Sequence, residues 1–179
     1  VIFYRLGLIF GKKGVLRSSL LFFKSVFRMF FDHAELKRLY KKIEKLDDDK
    51  AWKFSIDAKV KREIIWMNTI DQLYRKGIDS EGRSFGDYSP YTVEYKIDEG
   101  QRYDHVTLND TGRFYNSFFV TIQTDGFTID ADDTTGYDEP LFKVWGVDVA
   151  GLTDENLAKL REMIIENYIT YMQNVLSIN

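Results

Sequence analysis

At 179 residues, 44% hydrophobic and 16% aromatic, the chain is long and apolar enough to bury a core in one domain plus an extension. It has no cysteine, which excludes disulfides, thiol nucleophiles and thiolate zinc sites, and its two histidines, His33 and His105, each lack a second histidine at metal-ligand spacing. The net charge of −3 conceals two opposite halves: residues 1–46 hold eleven Lys/Arg against three Asp/Glu, net +8, and residues 47–179 hold fourteen against twenty-five, net −11.

A basic end on an acidic body points to an acidic partner: nucleic acid, an anionic membrane, or the body of a neighbouring copy. Residues 1–31 carry six Lys/Arg and no acid. Gly7, Gly11 and Gly14 make the first half turn-like, and from Val15 the pattern becomes helical. Lys13, Arg17, Lys24 and Arg28 fall on one face, and Leu16, Leu20, Phe23, Phe27 and Phe30 on another. The charges interrupt this amphipathic stretch too often for a membrane span. The plain reading is a helix that docks its Phe/Leu face on protein. A membrane-surface helix, a targeting peptide and nucleic-acid contact stand beside it. The chain opens on Val1 rather than Met, which leaves room for a preceding residue or segment.

Ala34 to Leu46 continues helical, with Leu36, Leu39, Tyr40 and Ile43 on one side and Lys37, Arg38, Lys41, Lys42 and Lys45 on the other. Asp47-Asp48-Asp49 reads as a linker or a helix N-terminus, where acids suit the helix dipole. A long helix follows, about 51–76. Ile56, Val60, Ile64, Met67, Ile70 and Tyr74 recur at helical spacing, Ile65 and Trp66 broaden the apolar face, and Gly77 serves as C-cap.

Residues 78–110 change character. Gly82, Gly86, Ser89-Pro90 and Gly100 punctuate them, acids are frequent, and Phe85, Tyr88, Tyr91, Tyr95 and Tyr103 are interspersed. Ser89-Pro90 starts a short helix that includes Thr92 and Lys96. The rest reads as a long loop, functional or ordered by a partner. Its aromatics suit core and interface packing, with a carbohydrate or peptide platform as the sharper alternative. Thr111-Gly112 is a turn or a helix start. The segments after it, 118–124 and 127–133, alternate, and Asp125-Gly126 between them predicts a two-residue hairpin turn. Residues 130–139 form an acidic loop that misses the EF-hand ligand pattern and reads as solvated. Pro140 to Gly146 is a short apolar segment. Thr153 N-caps the last helix, Asp154 and Glu155 fill its first turn, and Leu157, Leu160, Ile164, Tyr168, Tyr171 and Val175 form its buried stripe.

The expected fold class is α+β. A small antiparallel sheet with a central hairpin (about 117–133) packs against a long helix (about 51–76) and a C-terminal helix (about 154–176), with a basic N-terminal helical arm. The division is a 1–46 arm and a 47–179 body. The phosphate-cradling Gly loop, Gly-x-Ser-x-Gly and His-Glu-x-x-His are all missing from the sequence. Asp104-His105 is an acid–histidine neighbour pair, but adjacent strand residues point to opposite faces, so a dyad is not expected. The expectation is no enzyme, no cofactor and no metal site.

Leu108-x-x-Thr111-Gly112-Arg113-Phe-x-x-Ser117-Phe118 resembles the "Leu-x-x-Thr-Gly-x-Leu-x-x-Ser-Ile" element of the head–tail-joining, tail-completion or virion-morphogenesis proteins of tailed bacteriophages. That family runs from a long helix into a Gly-containing turn, then a "Gly-x-x-Trp-x-Pro-Leu-x-x-x-Thr" segment and a Lys. Gly82 to Thr92, followed by Lys96, stands in comparable order, with Phe85 where an aromatic belongs. Gly146 and Gly151-Leu152-Thr153-Asp154-Glu155 are similar to the family's last-helix start. The resemblance spans about residues 55–172; the arm is longer and more basic than the family pattern, and the acidic loop is expanded. It implies a structural virion protein of the neck or tail top, made in the host cytoplasm and assembling as a ring. Its partners would be other copies of itself and portal, connector or tail-tube proteins. Arm residues Lys13, Arg17, Phe23, Lys24, Phe27, Arg28 and Phe30 would make the assembly contacts, and direct DNA or membrane contact by the arm is a lesser expectation. The different class of reading is a membrane-associated or secreted binding module anchored by that arm.

Overall fold

Three antiparallel strands and the helices that cover them make an α+β fold. The computed structural model describes residues 2–5, 34–44, 46–123, 126–134 and 140–176. Strand β1 is Ile2–Arg5, β2 is Phe119–Gln123 and β3 is Gly126–Asp130, in the order β1-β3-β2. Val120 pairs with Ile129 and Ile122 with Phe127, while Phe3 pairs with Thr128 on the other side of β3. Being central, β3 is buried on both faces, with Phe127 and Ile129 at 0% exposure and Thr128 and Gly126 also covered. The edge strand β2 keeps the alternation its sequence predicts: Val120 is buried, Phe119 and Thr121 are exposed.

The hairpin forms, with its turn one residue earlier than expected. Gly126 belongs to β3 and pairs with Gln123, so the connection is residues 124–125, outside the described residues. The Gly126 carbonyl accepts a hydrogen bond from the Trp52 indole N–H at 3.0 Å, and Trp52 packs on Phe127 at 6.5 Å between ring centroids. The turn-like reading of the first residues is also corrected: Ile2–Arg5 is a strand, because an unpaired edge of β3 offers it a full ladder. The arm's other described end is helix α1, Ala34–Glu44. The amphipathic stretch between, with every proposed arm contact from Lys13 to Phe30, lies outside the described residues.

The long helix is two helices and a π-helical segment. Asp47 caps α2, Asp48–Ser55, by accepting from Asp49 N at 3.0 Å and Lys50 N at 3.2 Å, as its acids suggest. The helix then breaks at Ile56, and Asp57 caps α3, Ala58–Trp66, through Val60 N at 2.8 Å. Ile56, Val60 and Ile64 hold one apolar phase across the break, which hides it from periodicity. From Met67 to Lys76 the backbone is π-helical. A π turn repeats at about five residues rather than four, so Met67 and Gln72, and Asn68 and Leu73, face inward together. The expected inward pair Ile70 and Tyr74 is only half-buried, and Trp66 is 41% exposed beneath the Arg75 guanidinium.

Gly77 ends this segment with φ +61, as a C-cap glycine should. It is required twice over, because a Cβ there would sit 2.4 Å from Cδ2 of His105. Residues 78–110 are less loop-like than expected. Ile78 bridges Ser84, and α4, Pro90–Asp98, starts on the Ser89 cap with Pro at its first position, as read. Gly112, with φ +78, opens the short helix α5, Arg113–Asn116. The apolar segment after Pro140 is helix α6, Leu141–Trp145, whose Leu141 N donates to Asp133 O at 2.9 Å. A 3-10 turn, Val147–Val149, follows.

The last helix, α7, Asp154–Leu176, has the predicted bounds. Its stripe is narrower at the centre and includes a polar residue: Asn156, Leu160 and Ile164 are buried, while Leu157, Tyr168, Tyr171 and Val175 are half-buried. α7 packs on α1, α2 and α3, and α3 also packs on β2. Asn167 donates to Ser55 O at 3.1 Å, covering the broken end of α2, and Lys42 donates to Leu176 O at 2.9 Å near the end of α7.

Gly77→Ala is expected to destabilise the fold by about 2 kcal/mol, since a side chain at left-handed φ costs roughly 1–2 kcal/mol before any clash. The double variant with His105→Ala should recover the clash component. A denaturation cycle showing no coupling between the two positions would mean that the glycine and the ring do not touch.

Candidate functional site

The motif that carries the resemblance is a pinned loop and not an exposed patch. Leu108 is 5% exposed and has a φ of +54, rare for a branched, bulky residue. The backbone around it is held by four side chains. Tyr88 Oη accepts from Thr107 N at 2.9 Å and pairs with Thr107 Oγ1 at 3.0 Å. Tyr115 donates its hydroxyl to Thr107 O. Lys96 donates to Asn109 O at 2.9 Å, and Gln101 Nε2 to Asp110 O at 3.2 Å. With both flanks fixed, the left-handed residue between them has no cheaper conformation.

The remaining motif residues divide by role. Phe114 and Phe118 are core, stacked edge-on at 5.0 Å. Ser117 Oγ donates to Phe114 O at 2.7 Å and accepts from Asp132 N at 3.0 Å, tying the end of α5 to the segment that follows β3. Thr111 and Arg113 are exposed. The second motif, Gly151-Leu152-Thr153, joins a different network, centred on the buried carboxamide of Gln72. Gln72 Nε2 donates to Gly151 O at 2.9 Å, and Gln72 Oε1 accepts from Thr153 N and Asn156 Nδ2, both at 2.9 Å. Asn68 adds a bond to Val149 O at 2.9 Å. Leu108, Phe114, Phe118 and Leu152 share one hydrophobic core, while the polar parts of the two motifs serve separate networks.

At the edge of this network Asn156 also donates to Asp71 at 3.2 Å, and Lys76 bridges Asp71 at 3.1 Å and Glu155 at 3.3 Å. Burial acts to raise the Asp71 pKa, but the bonds from Lys76 and Asn156 prevail and hold it below the ordinary carboxylate value. Sequence reading missed Asn68, Gln72 and Asn156. The available signal was polar residues one position off an apolar stripe, which marks a π turn only once its carbonyl partners are known.

Asp104 and His105 do touch, at 3.2 Å between Oδ1 and Nδ1. Residues 104–105 form a bend, so the strand argument that separated them does not apply. The pair is nonetheless occupied. His105 Nε2 lies 3.1 Å from Tyr74 O, and Arg102 donates to both Asp104 oxygens, at 2.7 and 2.9 Å. Both ring nitrogens thus lie within hydrogen-bond reach of oxygens inside the protein. Among the described residues no group of three or more His, Asp or Glu could hold a metal ion, and no helix is long and apolar enough to cross a membrane.

What the motif loop does build is one wall of an open groove of about 610 Å³. Val106, Leu108 and Leu141 form its buried floor, and Tyr88 and Trp145 flank it half-buried. Tyr95 and Val144 stand at the rim, 46% and 53% exposed. Two carboxylates edge it, Asp87 exposed and Asp110 half-buried, and among the described residues neither has a hydrogen-bond or ion-pair partner. The Asp110 charge, then that of Glu99, pushes the Tyr95 phenol pKa upward, the signature of a negative potential on this face. The lining cation, Lys96, is 4% exposed and engaged by Gln101 Oε1 at 2.7 Å, Asn109 O and the Tyr88 ring at 5.0 Å. The groove therefore combines an apolar floor with an unneutralised acidic rim.

The chain matches no known family model, no curated protein and no solved structure.

Gln72→Leu is expected to cost about 3–5 kcal/mol, because each buried polar partner it strands costs roughly 1–3 kcal/mol; urea unfolding would measure it. Asp104, whose Arg102 bonds lower its pKa from 3.8 to about 2, contributes stability that is complete above pH 3.8 and lost as pH falls through about 2. Carboxyl NMR should place its midpoint near the lower value, and Arg102→Ala should return it toward 3.8.

Proposed function

We propose that this chain is a non-enzymatic structural protein of a tailed-phage virion, working at the neck or tail top as a ring of identical subunits. The observation that carries the reading is the state of its polar side chains. Lys96, Gln72, Tyr88 and His105 are spent on holding backbone and Asn156 on holding Gln72, and the groove that Tyr88 and Lys96 line offers apolar contact with an acidic rim rather than reactive groups. Such a body acts by geometry. The motif residues from Leu108 to Ser117 and from Gly151 to Thr153 support this reading as positioning elements: they fix the loop and helix start on which a contact face depends.

The exposed apolar side chains support it further. Tyr91 is 81% exposed and Ile97 51% on α4, Val144 is 53% exposed on α6, and Val147 is 50% exposed in the turn after it. Exposed apolar side chains beside a groove suit an interface that is covered on assembly. A head-to-tail ring needs two different complementary patches per subunit, and the opposite charges of residues 1–46 and 47–179 supply opposite signs for them.

Light scattering over a concentration and salt series, with negative-stain imaging of the same sample, tests this. A closed oligomer that loosens as salt rises is the expected result. A monomer at every concentration that also fails to enter particles when co-expressed with portal and tail-tube proteins would overturn it.

A further inference from the structure

We infer that the groove between α4, the Leu108 loop and α6 receives the basic, Phe-bearing segment of a second copy's N-terminal region, about residues 15–30. This deepens the ring reading and rests on it. The argument is chemical fit. The floor of Val106, Leu108 and Leu141 is apolar, with the rings of Tyr88 and Trp145 beside it, and so takes aromatic or aliphatic side chains. Its rim carries the Asp87 and Asp110 carboxylates without cationic partners among the described residues, since Lys96 is held by neutral oxygens and a ring face. A fitting occupant therefore carries apolar side chains flanked by cations.

Within this chain, residues 15–30 have that composition: Leu16, Leu20, Phe23, Phe27 and Phe30, with Arg17, Lys24 and Arg28 and no acid. Residues 50–62 of the body carry a comparable charge, five Lys/Arg against one acid, but their apolar side chains Trp52, Ile56 and Val60 are already buried in the core and so are not free to fill a groove. The segment is tethered at both ends, since β1 ends at Arg5 and α1 begins at Ala34. The contact is heterologous, this segment of one copy in the groove of the next, and so propagates around a ring.

The absence of native cysteine allows a clean test. Full-length Phe23→Cys and Val144→Cys chains are mixed under mild oxidation, with Phe23→Cys mixed with Gln173→Cys as the collision control. Each chain carries one thiol, so a bond within one chain cannot score. The expected result is a disulfide heterodimer well above the control, reduced roughly tenfold when the Val144→Cys partner also carries Asp87→Lys and Asp110→Lys. Circular dichroism of the reversed variant verifies its fold; should it fail to fold, Asp87→Asn with Asp110→Asn replaces it. A heterodimer yield no higher than the control, or one indifferent to the rim carboxylates, overturns the inference. If light scattering still finds rings, the groove assignment alone falls. If it finds monomers that also fail to enter particles on co-expression with portal and tail-tube proteins, the ring reading falls with it.

Discussion

The buried carboxamide of Gln72 is the constraint on which the rest of the molecule depends. It donates to Gly151 O and accepts from Thr153 N and Asn156 Nδ2, so one side chain sets both the path into α7 and the rotation of its first turn. α7 in turn packs on α1, α2 and α3. The carboxamide reaches those partners because Met67–Lys76 is π-helical, with Gln72 facing inward alongside Met67. A π turn is less favourable than an α turn in an isolated helix, so the tertiary bonds must stabilise it. The dependence is mutual, since the same bonds exist only when the turn is wide. Replacing Gln72 would strand Gly151 O and Thr153 N together, which is why the loss of one member of such a buried network costs more than one bond.

A second set of bonds repeats this logic around Leu108. Tyr88, Lys96, Gln101 and Tyr115 reach the loop from elements on both sides and hold it with Leu108 at φ +54. Lys96 is informative because a buried ammonium without a carboxylate is costly to desolvate. Two oxygens and the Tyr88 ring offset that cost, and the position of the groove wall is the structural return. Arg83 plays a comparable part on another side, linking buried Asp79 to Asp148.

Features written in adjacent residues were legible in the sequence. Asp47 at a helix start, Ser89-Pro90, Gly77 after the last helical residue and Thr153 before Asp154 all act through local backbone chemistry, and the hairpin was legible to within one residue of its turn. Features that needed distant partners were not. Ile2–Arg5 reads as turn-like among nearby glycines and becomes a strand only because β3 has a free edge. The Asp57 break is masked by the unbroken phase of Ile56, Val60 and Ile64. Asn68 and Gln72 look outward on a 3.6-residue wheel and turn inward on a π one. The groove was illegible for the same reason, since Asp87, Leu108, Asp110 and Val144 come from three separate segments.

The groove's two components would do different work in the proposed assembly. Its apolar floor would supply affinity, which is non-directional and accepts many apolar side chains equally. Its carboxylates would supply discrimination: desolvating Asp87 and Asp110 against a neutral or acidic segment leaves each charge uncompensated, whereas a Lys- or Arg-bearing segment restores a partner. In the proposed assembly the same charges would also hinder closure of the groove on another body, whose net charge over residues 47–179 is likewise negative. An acidic rim over an apolar floor would therefore oppose association between two bodies and favour association of a body with a basic segment. That asymmetry is what directional, ring-closing contacts require and what symmetric apolar patches do not provide.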